Sequence, residues 1–265
     1  MDLSSLQDPA TRMQNSGILE IRNRLGLISG GRVLDVGTSH GDFIGALSKS
    51  LKDYETFIGI DISEKDLEEA RGKFQDERIR FEIMNAEEMS FDNSSFDTVC
   101  MSYSLHHLRN VELVLDEMRR VLKRGGHLIV QEMFSNKDQS EAKLTEIRIH
   151  HLDARVDRMN GVPHFETYSR QQLRDIVSMP KMSSVEVYES LDSLKCVFCD
   201  KMKECINPRS DENIKLGISE IDDILKRAEK LPLLQDITRE AEYYKERVRI
   251  AGYESASQLF FICVK

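Results

Sequence analysis

From residue 32 to about residue 133, short apolar runs alternate with segments of helical periodicity, and this alternation constrains the fold more than any other feature of the chain. The runs cover 32–36, 56–60, 80–84, 98–101 and 128–131, each too short for a helix and most bounded by Gly, Asp, Asn or Ser. Continuous apolar runs of that length are what strands covered on both faces look like. Helical segments lie between them at about 43–50, 64–74 and 111–122. Ser63 and Asp66 form a capping pair at the start of the second, and Val111, Val114, Leu115, Met118 and Leu122 share one face of the third. Strand and helix repeated in this order build right-handed crossover units, and so predict a doubly wound α/β sheet.

The flanks read differently. Residues 1–30 form an N-terminal helical lead-in, with Ile18, Ile21, Leu25 and Leu27 as its expected buried side. Beyond residue 133, positions 138–160 are helical and charged, a loop covers 161–165, and Ser169 can cap another short helix. Strands are expected at 184–188 and, strongly apolar, at 258–264, with mostly helical sequence over about 195–250. The expected organisation is therefore a main domain made of 31–190 and 251–265, with 191–250 as a helical insertion between its last two strands.

Composition narrows the function classes. Lys and Arg total 37 against 46 Asp and Glu, a formal charge of −9 over 265 residues. Such a surface repels phosphate backbones, so no nucleic-acid partner is expected. No apolar run approaches the ~18 residues of a membrane span, and the opening MDLSSLQDPATR lacks a basic-then-apolar leader pattern. Five unevenly placed cysteines do not make a disulfide scaffold. A cytoplasmic globular protein is the expectation, its oligomeric state unreadable from the sequence.

The chemistry concentrates after the first strand. Val33-Leu-Asp-Val-Gly-Thr-Ser-His-Gly-Asp-Phe43 sets an acid inside the strand, then a tight loop, then a helix. Glycines at 37 and 41 permit a left-handed backbone and close approach of a ligand to the main chain. A dinucleotide fingerprint counted from Gly37 needs glycines at 39 and 42, where Ser39 and Asp42 stand, which argues against NAD. The Lys-Ser/Thr pair of a P-loop is also missing. Asp61 ends the second strand, where a carboxylate can accept both ribose hydroxyls of an adenosine or simply complement the following helix. Asn85-Ala86-Glu87 follows the third strand, 96–108 holds the fourth strand and its exit loop, and 120–130 carries a Gly-Gly turn into the fifth.

In order and spacing these motifs, spanning about 30–133, resemble the class I S-adenosylmethionine-dependent methyltransferases, closest to the branch of ubiquinone/menaquinone-type small-molecule enzymes. The resemblance implies a Rossmann-like seven-stranded sheet whose last strand runs antiparallel, which suits 258–264. It assigns Asp35, Gly37, Ser39 and Gly41 to the methionine part of S-adenosyl-L-methionine, Asp61 to the ribose and Ile62 to the side of the adenine. Asn85 and Ala86 then match the pair reading the adenine edge, and Ser102 the wall beneath the methionine amino group. Two positions depart from the family's pattern: Ser39 replaces a usual glycine, and Asn85 stands where aspartate is common.

The activity that the resemblance implies is methyl transfer to a small-molecule acceptor by in-line displacement, with a non-catalytic cofactor-binding regulator or scaffold as the alternative. A base is needed only if the acceptor must lose a proton. His106 and His107 follow the fourth strand and are the candidate catalytic pair, although they can equally cap or pack the next helix. His150, His151 and His164 lie on segments that roof the acceptor pocket in resembling enzymes, and Glu132 suits either a base or a structural acceptor. Cys196, Cys199 and Cys205 read C-x₂-C-x₅-C, short of a closed four-ligand zinc set, so no metal is expected and they are read as ordinary buried thiols.

Overall fold

Apolar residues alternate across each central strand, and the two sets they create define the molecule. In the computed structural model, which describes residues 15–192, 194, 198 and 207–265, the first strand, β1, spans Arg32–Val36. Val33 points to one face of the sheet with Phe57, Cys100, Ile129, Phe260 and Ile262. Leu34 and Val36 point to the other with Ile58, Ile60, Val99, Met101, Val130 and Phe261. A side-chain period of two turns one continuous apolar run into two cores, one on each side of the sheet.

The elements come in the expected order. A helix α1 (Ile18–Leu25) precedes β1; then come α2 (Asp42–Ser50), β2 (Thr56–Asp61), α3 (Glu64–Lys73), β3 (Ile79–Ile83) and β4 (Phe96–Ser102). A 3₁₀ turn at Leu105–His107 leads to α4 (Val111–Val121) and β5 (Leu122–Met133). The chain continues through α5 (Glu141–Met159), α6 (Arg170–Ser178), β6 (Ser184–Ser190), α7 (Asp211–Ala228), α8 (Leu234–Ala251) and β7 (Gln258–Val264). The seven strands order as β3-β2-β1-β4-β5-β7-β6. β7 runs antiparallel to both β5 and β6, as the resemblance implied.

Sequence signals set the helix starts. The Ser63 hydroxyl accepts from the Asp66 amide, Ser140 caps α5, and Ser169 with Gln172 completes a reciprocal capping box on α6. Leu27, expected on the buried side of the lead-in, is 75% exposed, and Ile28 is buried in its place. The helix ends at Leu25, so the 3.6-residue period that would carry Leu27 inward is broken by Gly26. β5 also begins earlier than its apolar run: Leu122 pairs with Phe96 before an irregularity shifts the register.

Between β6 and β7, α7 and α8 pack on α5 through a third apolar cluster. Ile221, Ile224, Ile237 and Val248 meet Ile149, Leu152 and Val156 there. These helices therefore bury their apolar stripes against one another and α5 rather than against the sheet. Among the described residues no helix is long and apolar enough to cross a membrane.

Candidate functional site

Strand order reverses between β1 and β4, and a crevice opens there at the carboxyl ends of the strands, the usual ligand position in an open α/β sheet. A cavity of about 820 Å³ occupies it, lined from Asp35 and the loop after β1 round to Val162 and Pro163. That volume suits a small organic ligand with a second one beside it.

The loop at 37–41 is held by backbone bonds. Gly37 and Thr38 both donate their amides to the Ile60 carbonyl, at 2.9 and 3.0 Å. Gly37 has φ of 67°, and a Cβ there would stand 2.7 Å from the Ser104 hydroxyl. Ser39 shares the left-handed conformation with φ of 44° although it is not glycine, a strain on the order of 1–2 kcal/mol. Its amide donates to Asp61 Oδ2 at 3.0 Å, and its hydroxyl meets His40 Nδ1 at 2.9 Å. Gly41, assigned by the resemblance to ligand contact, does not line the cavity. Its φ is 78°, and a Cβ would meet Phe74 at 2.7 Å and Phe81 at 3.2 Å, so packing beneath the loop requires it.

Asp61 sits at the end of β2 with one oxygen on the Ser39 amide and the other on the Ser63 amide, both at 3.0 Å. Each carboxylate oxygen keeps a further lone pair, and the side chain lines the cavity. Next to it Ile62 is 73% exposed on the same wall, an apolar surface with no protein cover. Asn85 and Ala86 continue that wall, and Ser102 lies on it at the end of β4. The Asn85 carbonyl oxygen accepts from the Glu87 amide at 3.0 Å, so it caps its own loop with one lone pair and keeps the second.

Asp35 is buried at the foot of the loop and accepts from the Thr38 hydroxyl at 2.7 Å and from the Cys100 thiol at 3.4 Å. Burial pushes its carboxyl up to about 7, against the pull of those hydrogen bonds. A cation placed in the cavity next to Asp35 would favour the ionised form.

The lining also includes Tyr103 and Gln131 and, on more distant segments, His107, Val162 and Pro163. The surrounding protein and the rings of His106 and His164 push the His107 imidazole below its usual range, although its outer edge reaches solvent. Its Nδ1 lies 3.4 Å from the Pro163 carbonyl. His106, expected beside it as a catalytic partner, is 1% exposed and does not line the cavity. It turns inward, with Nδ1 3.1 Å from Glu132 Oε1. Glu132 is fully buried and accepts the amides of Leu105 and Met133, at 3.0 and 2.9 Å, which is the structural-acceptor alternative. His150 and His164 join His106, and burial with the neighbouring imidazoles pushes His150 down to about 2. His151 turns away from them to accept the Thr167 amide at 3.3 Å.

Thr38, Tyr103, Ser104 and Gln131 also line the cavity, and sequence reasoning did not single them out. Gln131 carried a signal, a polar residue ending the apolar run of β5. Ser104 carried none: its hydroxyl bridges the carbonyls of Gly37 and Ser102, a link between loops visible only in three dimensions. Cys196, Cys199 and Cys205 lie outside the described residues.

Residues 34–130 match a family described as a methyltransferase domain. Over 113 residues the chain is 34% identical to a ubiquinone/menaquinone biosynthesis C-methyltransferase of Geobacter sp. (strain M21), covering 41% of this chain and 48% of that protein. The chain thus spans about half the length of the curated relatives it matches. It is 26% identical over 174 residues to the 27-O-demethylrifamycin SV methyltransferase of Amycolatopsis mediterranei, covering 63% of this chain and 61% of that one. Among solved structures it resembles YcgJ of Bacillus subtilis, with a TM-score of 0.53 at 18% identity over 94% of this chain and 97% of that one. A Haemonchus contortus phosphoethanolamine N-methyltransferase 2 in complex with S-adenosyl-L-methionine gives a TM-score of 0.53 at 20% identity, covering 94% of this chain and 52% of that one. Order, topology and these likenesses agree: the chain has the fold of the class I S-adenosylmethionine-dependent methyltransferases, and its residues 34–130 are similar to a methyltransferase domain.

Proposed function

We propose that the protein binds S-adenosyl-L-methionine in the crevice and transfers its methyl group to a small-molecule acceptor seated at the His107 end. One observation carries this reading. Asp35, Gly37, Ser39, Asp61, Ile62, Asn85, Ala86 and Ser102, from four separate strand ends, line a single cavity that continues to His107. The residues fit the donor: Asp61 keeps lone pairs for ribose hydroxyls, and uncovered Ile62 offers a flat ring an apolar face. Asp35 offers a carboxylate to a cationic group.

The donor, when bound, supplies a methyl group on a positively charged sulfur and a neutral leaving group. The protein is left to supply alignment and exclusion of water. Holding two reactants in line contributes about 7–11 kcal/mol to such a displacement. The left-handed loop and Asp61 fix the donor end. Leu108, Val162 and Pro163 give the acceptor end an apolar lining beside Tyr103 and His107. His107 belongs to this end as an acceptor-side residue, with His106 behind it as a positioning residue through the His106–His107 ring contact at 4.3 Å. A small-molecule acceptor is supported by the names of the relatives, a quinone-pathway and a rifamycin methyltransferase. The acidic charge of −9 supports the absence of a nucleic-acid partner, and the free thiols of Cys100 and Cys263 support a reducing, cytoplasmic setting.

Calorimetric titration with S-adenosylhomocysteine and with NAD tests the donor: the former binds and the latter does not. Absence of S-adenosylhomocysteine binding overturns the reading. Incubation with labelled donor and a pool of cell metabolites tests transfer, and donor that binds yet never loses its methyl group identifies a non-catalytic binder instead.

A further inference from the structure

Three imidazoles meet behind the acceptor end of the cavity, brought from the end of β4, the middle of α5 and the loop after that helix. One ring nitrogen each from His106, His150 and His164 lies within 4.8 Å of the other two. His106 and His164 are 1% and 3% exposed. From this convergence we propose that His106, His150 and His164 bind a divalent transition-metal cation of the zinc class.

The geometry at His164 carries the argument. Its Nδ1 lies 2.9 Å from Asp157 Oδ2, and a carboxylate can only accept, so that nitrogen carries the proton. The lone pair of a neutral His164 is thereby fixed on Nε2, which faces His150 Nε2 at 3.1 Å. Two ligands about 2.0–2.1 Å from a tetrahedral ion stand about 3.3–3.4 Å apart, so this pair needs little movement to share one. A carboxylate behind a histidine, setting its tautomer and orientation, is the usual support of a metal-bound imidazole. Glu132 stands beside His106 in the same manner, 3.1 Å from Nδ1, yet that contact is not aligned as a hydrogen bond and Nδ1 stays buried without an aligned partner. Glu132 is itself fully buried, with no Lys or Arg paired to it among the described residues.

The neighbouring group of Asp153, Asp157 and His164 is a weaker candidate, because the Arg227 guanidinium already pairs with both carboxylates. Among the described residues no guanidinium or ammonium pairs with the three histidine rings. Three protein nitrogens leave a fourth position open. An ion there ties the segment carrying His164 and helix α5 to the 3₁₀ turn, beside His107, whose ring lies 4.2 Å from that of His164.

The test uses the full chain freed of any purification tag, stripped with chelator and titrated with zinc, with cobalt(II) as the spectroscopic probe. One equivalent is expected to bind, and cobalt is expected to give a tetrahedral spectrum of nitrogen and oxygen ligands without sulfur charge transfer. His150→Ala abolishes it, and the isosteric Asp157→Asn weakens it about 10–100-fold while the far-ultraviolet spectrum stays that of the parent. A variant with Cys196, Cys199 and Cys205 all changed to Ser binds as tightly as the parent. No stoichiometric binding overturns the proposal. So does a sulfur signature, or binding that persists in His150→Ala. S-adenosylhomocysteine titrated into the same samples reports the donor pocket separately, so either reading can fail alone.

Discussion

The two ends of the cavity are built on different principles. The donor end is made largely of backbone: left-handed residues at 37 and 39, amides aimed at Asp61, and one uncovered isoleucine, all within a few residues of two strand ends. The acceptor end is made of side chains from distant segments, with His107 in front and a buried group of imidazoles and carboxylates behind it. Backbone geometry is set by a short stretch of chain and suits a ligand common to many proteins. Side chains gathered from afar depend on how helices dock, and suit what is particular to one protein. Affinity for the donor should therefore answer to changes near residues 37–61, and turnover to changes near residue 107.

The largest effect is expected at the boundary between those properties. His107→Ala should abolish most turnover while S-adenosylhomocysteine affinity, measured by calorimetry, stays at the parent value. Normal turnover would reduce His107 to packing and blur the two ends into one. Asp61→Ala should weaken donor binding at least tenfold, about 1.4 kcal/mol, with an unchanged far-ultraviolet spectrum. It removes the acceptor of two loop amides as well as the proposed ribose contact, and unchanged affinity would refute that contact.

A pH effect of intermediate size belongs to Asp35, whose carboxyl lies near 7 in the folded protein. A cationic donor prefers its ionised form, so donor affinity should rise with pH, by at most about tenfold per unit below 7, and level off above it. Asp35→Asn should flatten the profile. The sign for stability is opposite: a carboxyl raised by folding is favoured protonated, so its contribution is lost as pH climbs from the unfolded value near 4 towards 7. The smallest effect is expected for Ser39→Gly. Relief of the left-handed backbone outweighs the added freedom of the unfolded chain by about 0.5 kcal/mol, read as a slightly higher midpoint in urea with donor affinity retained.

Legibility in the sequence divides along the same line. Strands β1 to β5 were visible because each is a short apolar run, local in the chain, that needs no partner to be read. Asp35, Gly37, Asp61 and Asn85 were visible because each sits at a fixed offset from a strand end, and the strand ends converge once the sheet forms. Gly41 was legible as a required glycine, but the reason for it, the rings of Phe74 and Phe81, belongs to packing. His106, noticed with His107, was never grouped with His150 and His164. Nothing in their spacing shows that α5 crosses the end of β4 at the turn that brings the rings together.

The sequence alone determined the doubly wound architecture, the glycine loop after β1 and the acid that ends β2. Those depend on interactions between residues near each other in the chain, or on a sheet whose strand order the pattern implies. The tertiary structure decided which histidine faces the cavity, that Glu132 is buried as an acceptor, and that α7 and α8 bury their stripes against α5. Side-chain burial, tautomer and ring orientation are set by which helix faces dock together, and docking is a property of the whole packed chain.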